Sequence, residues 1–306
     1  MIPPRFDHVA PTTLEEALAV LGQHGDDAKV LSGGQSLIPL LKLRLAAPAV
    51  LVDINRIPGL DRLEEADGVL RIGALVRESA LESADLVRRR YPILMDTAHV
   101  IADPLVRNMA TVCGNLAHGD PANDHPATML ALEAEVVARS AAGERVIPVT
   151  QFFTGVFATA LRPDEILTEI RVPAPAPRSG GAYLKLERKV GDFATAAVAA
   201  QVTLAEDGTV VRAGVGLTNV GPTPIKALQT EAFLAGKPLD DATTREAGRL
   251  AAEEARPTAD RRGSVEYKRD LVRVFTMRAL RRARDRAEGR AATAPAERAY
   301  ATAGGR

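Results

Sequence analysis

"VLSGGQSLIPLLKLRL", residues 30–45, sets two glycines and a serine between an apolar run and a stretch with helical spacing. A glycine-rich turn leading into a helix presents unpaired N–H groups together with the positive end of the helix dipole, and both favour a phosphate or diphosphate. The flanking runs "AKVLS" (28–32) and "AVLVDI" (49–54) read as short buried strands. Ser36–Leu45 between them reads as a crossover helix that tolerates Pro39 only in its first turn. Upstream, Thr13 and Glu16 make a capping-box pattern, and Leu14, Ala17, Leu18 and Leu21 recur at helical spacing until Gly22 and Gly25. Residues 1–57 are thus expected to form a small α/β unit whose glycine turn sits at a strand end.

The chain has 306 residues, 46% hydrophobic and 25% charged, enough for two or three domains with substantial cores. Lys plus Arg (39) balance Asp plus Glu (39), so the strongly basic balance of a nucleic-acid-binding domain is missing. The start, MIPPRFDHVAP, has neither the basic region nor the apolar core of a signal peptide, and no run has the ~20 apolar residues of a membrane span, so the expected address is the cytoplasm. One cysteine, Cys113, permits neither an internal disulfide nor an iron–sulfur cluster held by four cysteines of this chain. Any such cluster has to belong to a partner.

Three further parts follow. Over 58–175, "DGVLRIGAL" (67–75) places Leu70, Ile72 and Ala74 on one face of a strand, "RESALESADLV" and "YPILMDTAHVIAD" have helical spacing, "AEVVARSAAGERVIPV" is a hairpin around Gly143, and "PDEILTEIRVP" is another strand. "PAPAPRSGG" (173–181) lacks periodicity and reads as a connection between domains. Over 176–289, three strands come first, two of them joined at Glu206-Asp207-Gly208, and helices over 241–255 and 265–288 follow, the second with Val272, Phe275, Ala279 and Ala283 as a stripe for the sheet. The tail, 290–306, has too little apolar material to order itself.

A second glycine-bearing bend, Thr111 to Asn115, precedes an acid-rich loop and a helical run. Two such bends in neighbouring subdomains are placed to grip one diphosphate from both sides, although a bare glycine pair is more often a plain helix start than a ligand site. The dinucleotide fingerprint GxGxxG is absent, which disfavours a Rossmann fold and a stand-alone NAD-dependent dehydrogenase.

Four stretches, "LSGGQSLIPLLKLRLAAP", "IADPLVRNMATVCGNLAHGDPANDHPA", "KLERKVGDFATAAVAA" and "VGLTNVGPTPI", occur in this order, and the chain from Met1 to about Arg286 resembles the FAD-carrying medium subunit of the molybdenum hydroxylases, the xanthine dehydrogenase family. Within that family the likeness is to the carbon monoxide dehydrogenase type. The resemblance implies an α+β fold, with a two-subdomain FAD-binding domain of the PCMH type over 1–57 and 58–175 and a C-terminal domain of a three-stranded sheet plus helices. It also implies that Ser32, Gly33, Gly34, Gln35, Ser36 and Leu37, together with Thr111, Val112, Cys113, Gly114 and Asn115, hold the diphosphate and ribityl chain of FAD. By the same resemblance Asp124 contacts the adenosine part, Ile101 and Leu167 line the flavin, and Lys185 lies near the ring, where a cation tunes its potential. Phe193 stands where the carbon monoxide dehydrogenase type often has a tyrosine against the ring. Cys113 stands where the family more often has glycine, so the backbone there is not held at positive φ.

The implied function is electron transfer by an oxidoreductase subunit without a catalytic acid, base or metal of its own. A large molybdenum–pterin subunit oxidises the substrate, a small subunit with two [2Fe–2S] clusters relays electrons, and FAD in this chain passes them to quinone or another acceptor, in a dimer of heterotrimers peripheral to the inner face of the membrane. The alternatives are a medium subunit serving a purine, aldehyde or N-heterocycle hydroxylase, and a flavin-free assembly protein. Several side chains have plainer readings. His118, Asp120, Asp124 and His125 form a surface loop or ribose contacts in preference to a metal cluster. Cys113 is a small buried thiol, His8, His24 and His99 carry no motif, and "RALRRARDRAEGR" (278–290) reads most simply as a solvated basic helix face, with docking on an acidic partner surface as the alternative.

Overall fold

A computed structural model describes residues 2–290 and the backbone of Ala299–Tyr300; the rest of the tail expected to be disordered lies outside the described residues. The N-terminal unit runs β1 (Asp7–Val9), α1 (Leu14–His24), β2 (Ala28–Leu31), α2 (Leu37–Lys42) and β3 (Val50–Asp53). Its three strands are parallel in the order β1-β3-β2, with Val30 opposite Val52. Thr13 accepts from the Glu16 amide while the Glu16 side chain returns to the Thr13 backbone, so the capping box closes as expected, and α1 buries Ala17, Leu18 and Leu21.

The middle unit comprises β4 (Leu63–Ala66), β5 (Val69–Gly73), α3 (Glu78–Ser83), α4 (Asp85–Arg90), α5 (Pro92–His99), α6 (Pro104–Arg107), α7 (Val112–His118), α8 (His125–Ala131), β6 (Glu135–Ser140), β7 (Gly143–Pro148), β8 (Phe153–Gly155), β9 (Ala158–Thr159) and β10 (Ile166–Pro173). An antiparallel sheet in the order β4-β5-β10-β6-β7 forms its base, with β6 and β7 turning at Gly143. "RESALESADLV" is two helices and not one, because Ala84 between them is extended (φ −66°, ψ 123°). The bend at Thr111–Asn115 is the first turn of α7, capped by the Thr111 side chain accepting from the Gly114 amide.

The C-terminal unit comprises β11 (Ser179–Glu187), β12 (Ala196–Leu204), β13 (Val210–Thr218), β14 (Ile225–Lys226), α9 (Leu228–Leu234), α10 (Asp241–Glu254) and α11 (Val265–Ala287). Three long antiparallel strands form the expected sheet, extended at its edges by β14 and by a two-residue strand, β15 (Ala299–Tyr300), which pairs in parallel with Leu186 and Glu187. That short strand departs from the disorder expected of the tail; the free edge of β11 supplies its backbone partners. The connection between the units is shorter than 173–181, since β11 already starts at Ser179. Gly180 belongs to the strand because a Cβ there would stand 2.2 Å from the Ala283 carbonyl of α11, so it serves close packing and not flexibility.

Alternation along β12 explains the layering. Ala196, Val198, Ala200 and Val202 pack with Val272, Phe275, Ala279 and Ala283 of α11, whereas Ala197 and Ala199 pack with Ile93 of α5 and Ala127 and Ala131 of α8. Helices α5 and α8 therefore lie between the two five-stranded sheets, and this is the α+β architecture expected.

Candidate functional site

Between the parallel unit and the middle unit lies a cleft of about 260 Å3. Ser32 to Leu37 line one wall and Thr111, Cys113, Gly114 and Asn115 the other. The first bend leaves the carboxyl end of a parallel strand, the position where open α/β sheets take their ligands. The walls touch directly: Ser32 Oγ is 3.1 Å from Thr111 Oγ1 and donates to the Ala74 carbonyl at 3.2 Å. This approach requires glycine at 33, where a Cβ would lie 2.4 Å from the Met109 carbonyl oxygen. Gly34 adopts φ +72°, and the Ile38 amide donates to its carbonyl at 2.9 Å to start α2, leaving the amides of Gln35 and Ser36 ahead of the helical ladder.

Side chains absent from the sequence reading hold the first bend in place. Asn55 Nδ2 donates to the Ser32 carbonyl at 2.9 Å, and Arg77 donates to Asn55 Oδ1 at 2.6 Å and to the Met109 carbonyl. No periodicity marks either residue; only the position of Asn55 two places beyond a strand end hints at it.

The second bend divides. Val112 leaves the cradle: its side chain is fully buried in the sheet core and its amide donates to the Val76 carbonyl at 3.1 Å. Cys113 borders the cleft, but its thiol contacts the Ile72 carbonyl at 3.4 Å, and burial pushes its pKa far up, so it remains a neutral thiol. Asn115 accepts from Asn123 Nδ2 at 2.7 Å through its carbonyl, while its buried Oδ1 has no protein partner. An acceptor in that state fits a ligand that brings hydroxyl groups, as the ribityl chain and ribose of FAD do. The bare bends, the contact between them and this acceptor fit the cofactor that the resemblance implies.

The other expected residues gather elsewhere. Lys185 Nζ donates to Asp124 Oδ2 at 3.0 Å and to the Val100 carbonyl at 3.0 Å, and lies 3.7 Å from Glu187. Tyr183 Oη donates to Asp124 Oδ1 at 2.6 Å; burial, reinforced by the Asp124 carboxylate, pushes this phenol well above its ordinary pKa. Asp124 and Lys185, expected at opposite ends of FAD, are thus one buried ion pair, because the N-terminus of α8 meets β11. Each carboxylate oxygen of Asp124 thus accepts one protein donor, so the adenosine contact implied for it would use the remaining lone pairs. Ile101 lies on the turn that follows Val100, where Arg107 donates to the Ile101 carbonyl at 3.0 Å and to Glu82 at 2.8 Å. Phe193 is half exposed beside Asp192; burial raises that carboxyl, but Arg262 at 2.8 Å and Arg188 at 3.1 Å outweigh it and hold it below the usual range. Leu167 lines the cleft with the two bends, apart from Ile101 and Lys185.

The loop histidines also separate. His125 is fully buried against Glu78 at 2.7 Å, which corrects the surface-loop reading, while His118 borders the cleft. Among the described residues, no group of three or more histidine, cysteine or carboxylate side chains is placed to hold a metal.

A cleft closed by two bare bends, one from a parallel unit and one from an antiparallel unit, defines a flavin-nucleotide-binding protein of non-Rossmann type. The chain belongs to the family described as the FAD binding domain in molybdopterin dehydrogenase, which matches residues 4–175, and residues 181–283 match the CO dehydrogenase flavoprotein C-terminal domain. The carbon monoxide dehydrogenase medium chain of Hydrogenophaga pseudoflava is 45% identical over 92% of this chain and 97% of its own. The 6-hydroxypseudooxynicotine dehydrogenase complex subunit alpha of Paenarthrobacter nicotinovorans is 38% identical over 94% and 97%. Reconstituted CO dehydrogenase from Oligotropha carboxidovorans contains a chain that superposes with a TM-score of 0.91 at 41% identity, covering 94% of this chain and 100% of that one.

Proposed function

We propose that this chain is the FAD-holding medium subunit of a molybdenum-containing carbon monoxide dehydrogenase. The observation that carries the proposal is the 3.1 Å contact between Ser32 and Thr111, which closes the two bends on one cleft. The first bend offers amides to the diphosphate, Asn115 offers an acceptor to a hydroxyl, and Gly33 keeps the walls at backbone distance. The pair of Lys185 and Asp124 fixes the Val100–Ala102 turn near the expected ring site.

When bound, FAD supplies exchange of electrons singly or in pairs, which suits a junction between [2Fe–2S] clusters and a two-electron acceptor. The small iron–sulfur subunit, the large molybdenum–pterin subunit, a dimer of heterotrimers, a quinone acceptor and a cytoplasmic place at the inner membrane face follow from the resemblance. Identity of 45% and 41% to carbon monoxide dehydrogenase chains supports carbon monoxide as the substrate of the complex. A second reading, a hydroxylase of an N-heterocyclic or related organic substrate, is favoured by the 38% identity to the 6-hydroxypseudooxynicotine enzyme.

The purified chain is expected to take up FAD and show a flavin spectrum, and the complex reconstituted with its two partners is expected to oxidise carbon monoxide. A colourless chain that ignores added FAD would favour the assembly-protein reading, and a complex active only on aldehydes, purines or N-heterocycles would favour the second reading.

A further inference from the structure

The C-terminal sheet has the order β14-β13-β12-β11-β15, so β11 would be its outermost strand but for the two residues of β15. A strand edge leaves a row of N–H and C=O groups unpaired, which is a template for pairing with another chain. Over the first half of β11, side chains take the place of a neighbouring strand. Arg286 of α11 donates to the Gly181 carbonyl, and the Tyr183 amide donates to Asp96 of α5 at 3.3 Å. Further along, Leu186 and Glu187 stand opposite Ala299 and Tyr300, so the tail of the chain supplies the partner.

The direction of this pairing follows from where α11 ends. A Cβ at Gly180 would lie 2.4 Å from the Ala287 amide nitrogen. The helix therefore delivers the chain to the start of β11, and a strand added from there runs parallel to it, as β15 does. Ala299 follows Ala287 by twelve positions and Leu186 follows Gly180 by six, so the covalent reach, about 3.3 Å per extended residue, is ample. The added strand lies beyond residues 181–283, which match the CO dehydrogenase flavoprotein C-terminal domain, and so extends the sheet beyond the matched domain.

We infer that Ala299–Tyr300 is a built-in edge strand: the tail docks in cis on the open end of β11 and keeps a second copy of the chain from pairing there. Arg286, Asp96 and the tail together close the edge from Gly181 to Glu187. With the tail gone, the bared end offers its main-chain groups for strand addition, a mode in which backbone hydrogen bonds supply the affinity. The bared edge of an identical chain presents the same groups in return.

The test compares the full chain with a chain ending at Arg290 and with a double variant, Ala299→Pro with Tyr300→Pro, which removes two backbone donors without shortening the chain. Amide hydrogen exchange over 186–188 should be about tenfold faster in both variants, the worth of roughly one backbone hydrogen bond, while exchange in β12 and β13 stays as in the full chain. A synthetic peptide of residues 291–306 should restore slow exchange to the shortened chain, and the same peptide with both prolines should not. Sedimentation should show more self-association in both variants than in the full chain. Equal exchange over 186–188 in all three chains overturns the docking. Protection in the full chain that rises with protein concentration assigns the added strand to a second copy and overturns the cis arrangement. Variants that exchange fast yet associate no more than the full chain overturn the protective role.

Discussion

Lys185 shows how far burial changes the meaning of a side chain. By sequence it is the basic residue near a flavin ring, with the polar face of a strand as its plain alternative. In the fold it is 5% exposed and neutralises Asp124, itself 5% exposed. Removing one partner of a buried pair leaves the other charge uncompensated, which costs about 3–5 kcal/mol. Lys185→Met is therefore expected to lower the unfolding free energy in a denaturant titration by that amount, and adding Asp124→Asn to recover only part of it, because the buried Glu187 carboxylate 3.7 Å from Lys185 also loses its cation. A single variant within 1 kcal/mol of wild type would show that the pair does not hold α8 to β11. The family motif made both residues legible; their 61-residue separation carries no periodicity from which their contact could be read.

At the scale of elements, local signals decided what could be read. α1 announced itself through a complete capping box, and α11 through its apolar stripe. α7 read as a bend because Thr111 is followed three places later by Gly114, so the box lacks its acidic half. Strands of two or three residues, such as β1, β8 and β9, are too short to show alternation. Thr111 joins element to site, since its hydroxyl caps α7 at 3.2 Å and meets Ser32 at 3.1 Å. Thr111→Val should lose about 1 kcal/mol of stability through the cap and should also weaken FAD binding by opening the cleft, whereas Thr111→Ser should keep both. Calorimetric melting paired with flavin fluorescence separates the two effects; a Thr111→Val chain that melts early yet binds FAD as tightly as wild type would restrict Thr111 to capping.

Across the whole molecule, the basic run 278–290 is where the sequence reading went furthest astray. A run of arginines looks solvated because patterning records charge and not its partners. In the fold Arg286 is 9% exposed, and its guanidinium grips both oxygens of Asp96 on α5 at 2.6 and 3.0 Å while donating to the Gly181 carbonyl. This fork spans 190 positions and fastens the last helix to the layer between the two sheets. Because α5 continues into the turn that carries Ile101, the fastening also bears on the expected ring site. Arg282, 3.9 Å from Asp96, supplies a second cation that softens any loss. Arg286→Met is accordingly expected to cost about 3 kcal/mol, the lower end for a broken buried pair, and to weaken FAD binding. Arg286→Lys should recover only part of the stability, since an ammonium cannot form the planar two-point contact. Urea unfolding followed by both circular dichroism and flavin release checks this: a stability loss without any change in FAD affinity would confine the fork to holding the C-terminal helix in place.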